Sequence, residues 1–157
     1  MPETQGTAVA DVVREIVAEV APAELPVAEG LHRLGNEAAI RRLVRRRRRP
    51  RNPLGFGLGE IVPLVTPVLW VALDETVRRG ADDVADGLLA WALRLLRWIL
   101  RRPTPPRPVG PFTQGQLQFL RKRARELALE YGHDRKDAEA LAERLVGKIV
   151  LRQESTR

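Results

Sequence analysis

The sequence predicts an all-α protein, and three observations carry this prediction. In each apolar segment the apolar residues recur every three or four positions, as on one face of a helix. Their period is close to 3.6 and not to the 2 of a half-buried strand. The 12 glycines and 12 prolines cluster instead of scattering, which marks boundaries between elements. We expect short N-terminal helices in 1-49, a long apolar helical block or hairpin in 54-101, a Pro-rich linker in 102-111 and a two-helix hairpin in 112-153.

Three short helices are predicted in the N-terminal region. The first is amphipathic, with valines at helical spacing opposite charged residues, and Pro22 and Pro26 end it. Gly35 followed by Asn36 is typical of a helix C-terminus and a new N-cap. The third helix ends in arginines, whose charge suits the negative end of a helix dipole. The predicted ranges are 7–20, 27–34 and 37–48.

Residues 54–73 have the length of a membrane span and carry a single charge, Glu60. Their Leu, Ile, Phe and Val residues favour insertion by about 3–7 kcal/mol in total. Glu60 opposes insertion by about 2–3 kcal/mol if central, and the glycines and prolines add further cost. The segment is therefore either a membrane span, which the flanking arginines favour, or a buried helix of a soluble bundle.

The segment 84–100 is less apolar, because Arg94 and Arg97 interrupt it. We do not expect it to span a membrane alone. It is suited to a membrane interface, to pairing with 54–73 in a hairpin, or to an ordinary core helix. One amphipathic stripe joins the two apolar segments, which allows a single helix over 66–101 or a break at Gly80 or Gly87.

The C-terminal region is predicted to be a helical hairpin after an extended linker. Five prolines in 103–111 exclude a helix there and predict an exposed linker. Thr113 and Gln116 have the spacing of a capping box. Gly132 ends the first helix near 131, and Asp134 or Asp137 begins the second. Two helices bury little surface alone, so we expect this hairpin to dock on another part of the chain or a partner.

Arginine clusters flank the apolar block. Residues 41–51 contain eight arginines and no acid, residues 94–108 contain five arginines and no acid, and an acidic patch lies at 74–86. Clusters of this kind beside an apolar segment favour anionic lipid, with a solvated helix end as the second possibility and nucleic acid as the third. The candidate lipid- or anion-binding residues are Arg41, Arg42, Arg45, Arg46, Arg47, Arg48, Arg49, Arg51, Arg101 and Arg102. The candidate membrane-interface residues are Trp70, Trp91 and Trp98.

The sequence offers little material for catalysis. It contains no cysteine, so disulfides and thiol chemistry are excluded. His32 and His133 lie in separate helical regions, and Ser155 is the only serine. The acids of 74–86 lack the spacing of a calcium loop. We therefore predict no enzyme, no cofactor and no metal site.

Two functional hypotheses follow. In the first, the chain is a membrane-associated helical anchor, effector or adaptor, held at an anionic membrane by its arginines. It then lies at the inner face of the cytoplasmic membrane or forms an integral hairpin, with basic clusters inside and 74–86 outside. In the second, it is a cytoplasmic, soluble all-α module whose arginines bind an acidic protein or, with less support, nucleic acid. A protein partner or self-association is compatible with both.

Overall fold

The computed structural model describes residues 8–48, 64–84, 92, 96, 99, 100 and 109–155, with side chains for all of these except 46–48 and 81–84. Helix accounts for 87% of this part of the chain, and no strand occurs in it. The all-α prediction is therefore confirmed. The helices are α1 (Val9–Val20), α2 (Leu25–Leu34), α3 (Asn36–Arg48), α4 (Val65–Val84), α5 (Gln114–Glu130) and α6 (Arg135–Ser155), with a 3-10 turn at Pro22–Glu24 between α1 and α2.

The N-terminal helices follow the periodicity of the sequence closely. α1 buries Ile16 and every valine except the half-buried Val20, and it exposes Asp11, Glu15 and Glu19. α2 ends at Gly35, whose φ of 78° is a conformation that glycine adopts without strain. The Gly35 carbonyl accepts the Ala39 N–H at 3.0 Å, so the first hydrogen bond of α3 begins at Gly35 and not at the predicted N-cap Asn36.

α4 is the central helix of the protein. Every residue from Thr66 to Asp74 is buried, and α4 packs against α1, α3 and α5. A helix that is apolar on all sides is buried by its surroundings, which here are amphipathic helices from both ends of the chain. The sequence allowed two alternatives for this segment, a membrane span and a buried helix. In the structure residues 65–73 pack as a buried helix.

The start of α4 is fixed by a carboxylate from the N-terminal region. Glu24 accepts hydrogen bonds from the backbone N–H groups of Val65 and Thr66, at 2.8 and 2.7 Å, and from the Thr66 hydroxyl at 2.7 Å. The first N–H groups of a helix have no partner within it, and a negative charge is favoured there. The helix in the 54–73 segment thus begins at Val65, and 54–63 lie outside the described residues.

The extent of α4 decides whether the central block breaks at Gly80, one of the two positions that the sequence allowed. The helix continues through Gly80 to Val84, so a break at Gly80 is wrong. Gly87 lies outside the described residues, and so does most of the predicted 84–100 segment. Ala92, Leu96 and Ile99 are helical, in agreement with the periodicity.

The C-terminal hairpin has the caps that the sequence predicts. The Thr113 hydroxyl accepts the Gln116 N–H, and the Gln116 side chain accepts the Thr113 N–H, which completes the capping box of α5. The Asp134 carboxylate accepts the Asp137 N–H at 2.8 Å and begins α6, so Asp134 is the cap of the two candidates. α5 and α6 pack against each other along their length.

This hairpin docks on α4 and on α1. Arg123 of α5 forms a bidentate pair with Glu75 of α4, and these hydrogen bonds raise the pKa of Arg123 above its ordinary value. The guanidinium of Arg79 lies 4.6 Å from the ring centroid of Phe119. Two ion pairs, Glu15–Arg152 and Glu19–Lys148, join α1 to α6. Of the predicted linker only 109–111 is described; it is not helical, and Gly110 and Pro111 are exposed.

Replacement of two helical glycines by alanine should affect the free energy of unfolding differently. At Gly147 of α6 an added methyl group meets nothing within 4 Å, so Gly147→Ala should raise the free energy of unfolding by about 0.5–1 kcal/mol. At Gly80 of α4 the methyl group would overlap the amide nitrogen of Gln116. Gln116 must then leave the capping box, and the loss of about 1 kcal/mol cancels the gain in helix propensity.

Urea denaturation followed by circular dichroism measures both effects. In a Gln116→Ala background the obstacle is gone, so Gly80→Ala should regain the stabilisation seen at Gly147. Equal stabilisation by Gly80→Ala and Gly147→Ala in the otherwise unchanged chain would contradict the contact between α4 and the start of α5.

Candidate anion-binding surface

The arginine-rich helix α3 has one buried face and one exposed face. Ala39 and Leu43, four residues apart, are buried with 0% and 4% of their surface exposed. Arg41, Arg42 and Arg45 are exposed. Because positions four apart lie on the same side of a helix, packing of Ala39 and Leu43 turns these arginines towards solvent. We call Arg41, Arg42 and Arg45 the α3 arginine face.

The beginning of α3 is held on α4 by a polar network. The Trp70 Nε1–H donates to the Asn36 Oδ1 at 2.8 Å, and the Asn36 Nδ2–H donates to the Asp74 Oδ1 at 2.6 Å. The other oxygen of Asp74 accepts from the Arg78 Nε at 2.7 Å. Asp74 is buried, and these bonds satisfy its charge. The network fixes the direction in which α3 leaves the core.

No acid neutralises the α3 arginine face within the described part of the chain, since none of its three arginines forms an ion pair there. Other cations are neutralised: Arg78, Arg123 and Lys148, for example, each pair with an acid. Unpaired exposed guanidinium groups keep their hydrogen-bond donors available for phosphate or carboxylate. α3 therefore presents a surface that attracts anions.

A groove between α5 and α6 has a different charge balance. Its volume is 290 Å³, and its charged lining consists of Arg121, Lys122, Arg125, Glu139 and Glu143. The Arg121–Glu143 ion pair joins the two helices across it. The acids compensate most of the positive charge, so the groove is a weaker anion site than the α3 arginine face.

The remaining predicted site residues divide into three groups. Arg46, Arg47 and Arg48 continue the backbone of α3, but their side chains are not described. Trp70 is fully buried and hydrogen-bonded to Asn36, so its indole lies in the protein interior, in contrast to the predicted membrane interface. The predicted site residues that lie outside the described residues are Arg49, Arg51, Arg101, Arg102, Trp91 and Trp98.

The candidate catalytic groups are separated in the fold. The His32 ring lies 3.1 Å from the Asp11 carboxylate in an exposed pair between α2 and α1. The His133 ring lies 3.4 Å from the Leu64 carbonyl. The Ser155 hydroxyl donates to the Leu151 carbonyl at the end of α6. Among the described residues no group of acids and histidines is arranged to hold a metal ion.

Sequence reasoning missed the network around Asn36 and Asp74. The sequence predicts Asn36 as a helix N-cap and Asp74 as part of an acidic patch, whereas in the structure Asn36 of α3 is hydrogen-bonded to Trp70 and Asp74 of α4. The available signal was Trp70 itself, because the indole N–H of a buried tryptophan requires a hydrogen-bond acceptor.

No helix in the described ranges combines the length and the apolar character that crossing a membrane requires. Comparisons with protein-family models, with curated proteins and with solved structures give no match to this chain.

Proposed function

We propose that this chain is a non-catalytic helical anchor or adaptor that docks peripherally on an anionic membrane surface through its arginines. The observation that carries the proposal is the α3 arginine face, which is exposed and unneutralised by acids in the described residues. In the sequence this face continues into the uninterrupted arginines 45–49, which concentrates positive charge at one end of the helix. Each basic residue near such a surface contributes about 1 kcal/mol of attraction.

Peripheral docking agrees better with the packing of α4 than insertion does. The apolar residues Val68 to Leu73 are already covered by protein, and Glu24 caps the first turn of the helix. Exposing this helix to lipid would break those contacts and leave Asp74 and Thr66 without their partners. In the proposal the bundle therefore stays folded and α3 carries it to the membrane.

A second function has support from the same face. Exposed guanidinium groups also bind the phosphates of nucleic acid or the carboxylates of an acidic protein. Neither Trp nor Tyr occurs in 36–51, so the stacking contacts of single-strand binding are missing there. The soluble interaction module is therefore retained as the alternative, to be separated from lipid binding by experiment.

The triple variant Arg41→Gln, Arg42→Gln, Arg45→Gln tests the proposal. Its binding to vesicles containing phosphatidylglycerol should weaken about ten- to hundredfold at low salt. The loss should be smaller at 0.15 M salt, where the Debye length is only about 8 Å and surface charges are screened. Replacement of the same residues by lysine should change binding little, because a surface field requires charge rather than a planar fork. Cosedimentation with vesicles over a range of lipid concentrations measures the partition coefficient.

A matched control separates this face from net charge. Arg14→Gln, Lys136→Gln and Arg144→Gln remove three exposed cations that form no ion pair within the described ranges. This control should bind vesicles nearly as the unchanged chain does. Equal losses in both triple variants would contradict a specific role of α3. Loss of binding to duplex DNA by the α3 variant, with no vesicle binding by any form, would favour the alternative.

A further inference from the structure

Three exposed aliphatic side chains lie together near the end of the central apolar region. Leu96, Ile99 and Leu100 have 52%, 61% and 53% of their surface exposed. Leu96 and Ile99 are helical, and the Leu100 N–H donates to the Leu96 carbonyl at 3.0 Å. Residues three and four apart share one side of a helix. The three side chains therefore form one apolar patch, the 96–100 stripe.

The other exposed large apolar residues in the described ranges lie on three different helices, α2, α5 and α6. Each has an acid within three positions: Glu29 follows Val27, Glu37 follows Leu34, Glu130 follows Leu129 and Glu154 follows Leu151. Single exposed apolar residues are normal on a protein surface, whereas a contiguous patch marks an interaction site. The 96–100 stripe is the candidate for such a site.

The charge around the stripe restricts what can cover it. No acid occurs in the sequence between Asp86 and Glu126, and Arg101 and Arg102 follow Leu100 directly. An apolar stripe whose neighbours in the sequence include arginines and no acid is complementary to an anionic bilayer. In such a bilayer the aliphatic groups of the stripe enter the boundary of headgroups and acyl chains, where the phosphates favour basic residues.

We infer that the 96–100 stripe inserts into the acyl boundary of the membrane on which α3 docks, an inference that rests on the proposed function. The α3 arginine face then supplies the salt-dependent attraction, and the stripe supplies an apolar contribution that salt does not screen. Two such signals together give more stable attachment than either alone.

A polar variant of the stripe tests this inference. The changes Leu96→Gln, Ile99→Gln and Leu100→Gln remove the aliphatic surface. Helix propensity is maintained, because glutamine is a good helix former. Binding to phosphatidylglycerol vesicles in high salt should fall about tenfold or more, because the apolar contribution is lost. The matched control Leu34→Gln, Leu129→Gln and Leu151→Gln changes three exposed leucines elsewhere and should stay within about twofold of the unchanged chain.

The absence of cysteine allows an independent measurement of insertion. Ile99→Cys and Leu151→Cys, at positions with 61% and 57% exposure, each carry one polarity-sensitive fluorophore. With anionic vesicles the probe at position 99 should shift to the blue and be quenched by brominated lipids, whereas the probe at 151 should not respond. Circular dichroism shows that both labelled chains are folded.

The outcomes separate the inference from the function on which it rests. Vesicle binding with no response of the probe at 99, or with equal responses at both positions, overturns insertion and leaves arginine-mediated docking intact. No binding to anionic vesicles overturns both proposals. A blue shift at position 99 without vesicles, increasing with protein concentration, overturns lipid insertion because a second copy of the chain then covers the stripe.

Discussion

Replacement of Trp70 by alanine is expected to lower the free energy of unfolding by about 3–5 kcal/mol. Trp70 is fully buried in α4, and removal of its indole leaves a large cavity and an Asn36 oxygen without its donor. Urea denaturation followed by circular dichroism measures the loss. If Trp70 instead faced lipid, the variant would keep its stability and lose vesicle binding.

Trp70→Phe is the matched variant for the hydrogen bond. Phenylalanine keeps an aromatic ring in the cavity but removes the Nε1–H that Asn36 accepts. We expect a loss of about 1–3 kcal/mol, smaller than that of the alanine variant. A loss below about 1 kcal/mol for Trp70→Ala would contradict the buried position of this residue, because cavities of this size cost more.

Glu24→Ala is expected to lower the free energy of unfolding by about 2–3 kcal/mol. The carboxylate accepts three hydrogen bonds from Val65 and Thr66, and Thr66 is fully buried, so water cannot replace the carboxylate freely. A negative charge at the N-terminus of α4 adds dipole stabilisation. Hydrogen exchange at the amides of residues 65 and 66 should accelerate, which locates the damage at the first turn.

Two variants calibrate this result. Glu24→Gln keeps one acceptor oxygen but loses the charge, so its effect should be intermediate. Glu29→Ala removes an equal charge from α2, where the residue has no hydrogen bond or ion pair within the described ranges, and should cost about 0.5 kcal/mol or less. Unchanged exchange at residues 65 and 66 in Glu24→Ala would contradict the position at which α4 begins.

The helices were predictable wherever local signals decide the structure. Periodicity predicted α1, α2 and α3 to within about two residues, and side-chain chemistry predicted the capping box of α5 and left two candidates, Asp134 and Asp137, for the cap of α6. The sequence allowed either a continuous helix or a break at Gly80, and the helix continues because a glycine in a helix costs only about 1 kcal/mol, which tertiary packing overrides. Here α4 packs closely on Gln116 at that position.

The burial of α4 was not predictable in the same way. An apolar segment has the same composition whether lipid or protein covers it, so 54–73 left both possibilities open. What decides between them is long-range: Glu24 caps a helix some forty residues later, and Arg123 pairs with Glu75. The exposure of Arg41, Arg42 and Arg45 was predictable, because arginine is rarely buried without a partner.

Resistance to washing shows whether the folded helical bundle docks on an anionic membrane without inserting α4. The full chain is bound to vesicles with and without phosphatidylglycerol, floated, and washed first with high salt and then with alkaline carbonate. We expect the protein to float with anionic vesicles, to float weakly with neutral ones, and to be released by the combined washes with full helical content. Retention after both washes, or equal flotation with neutral and anionic vesicles, would contradict it.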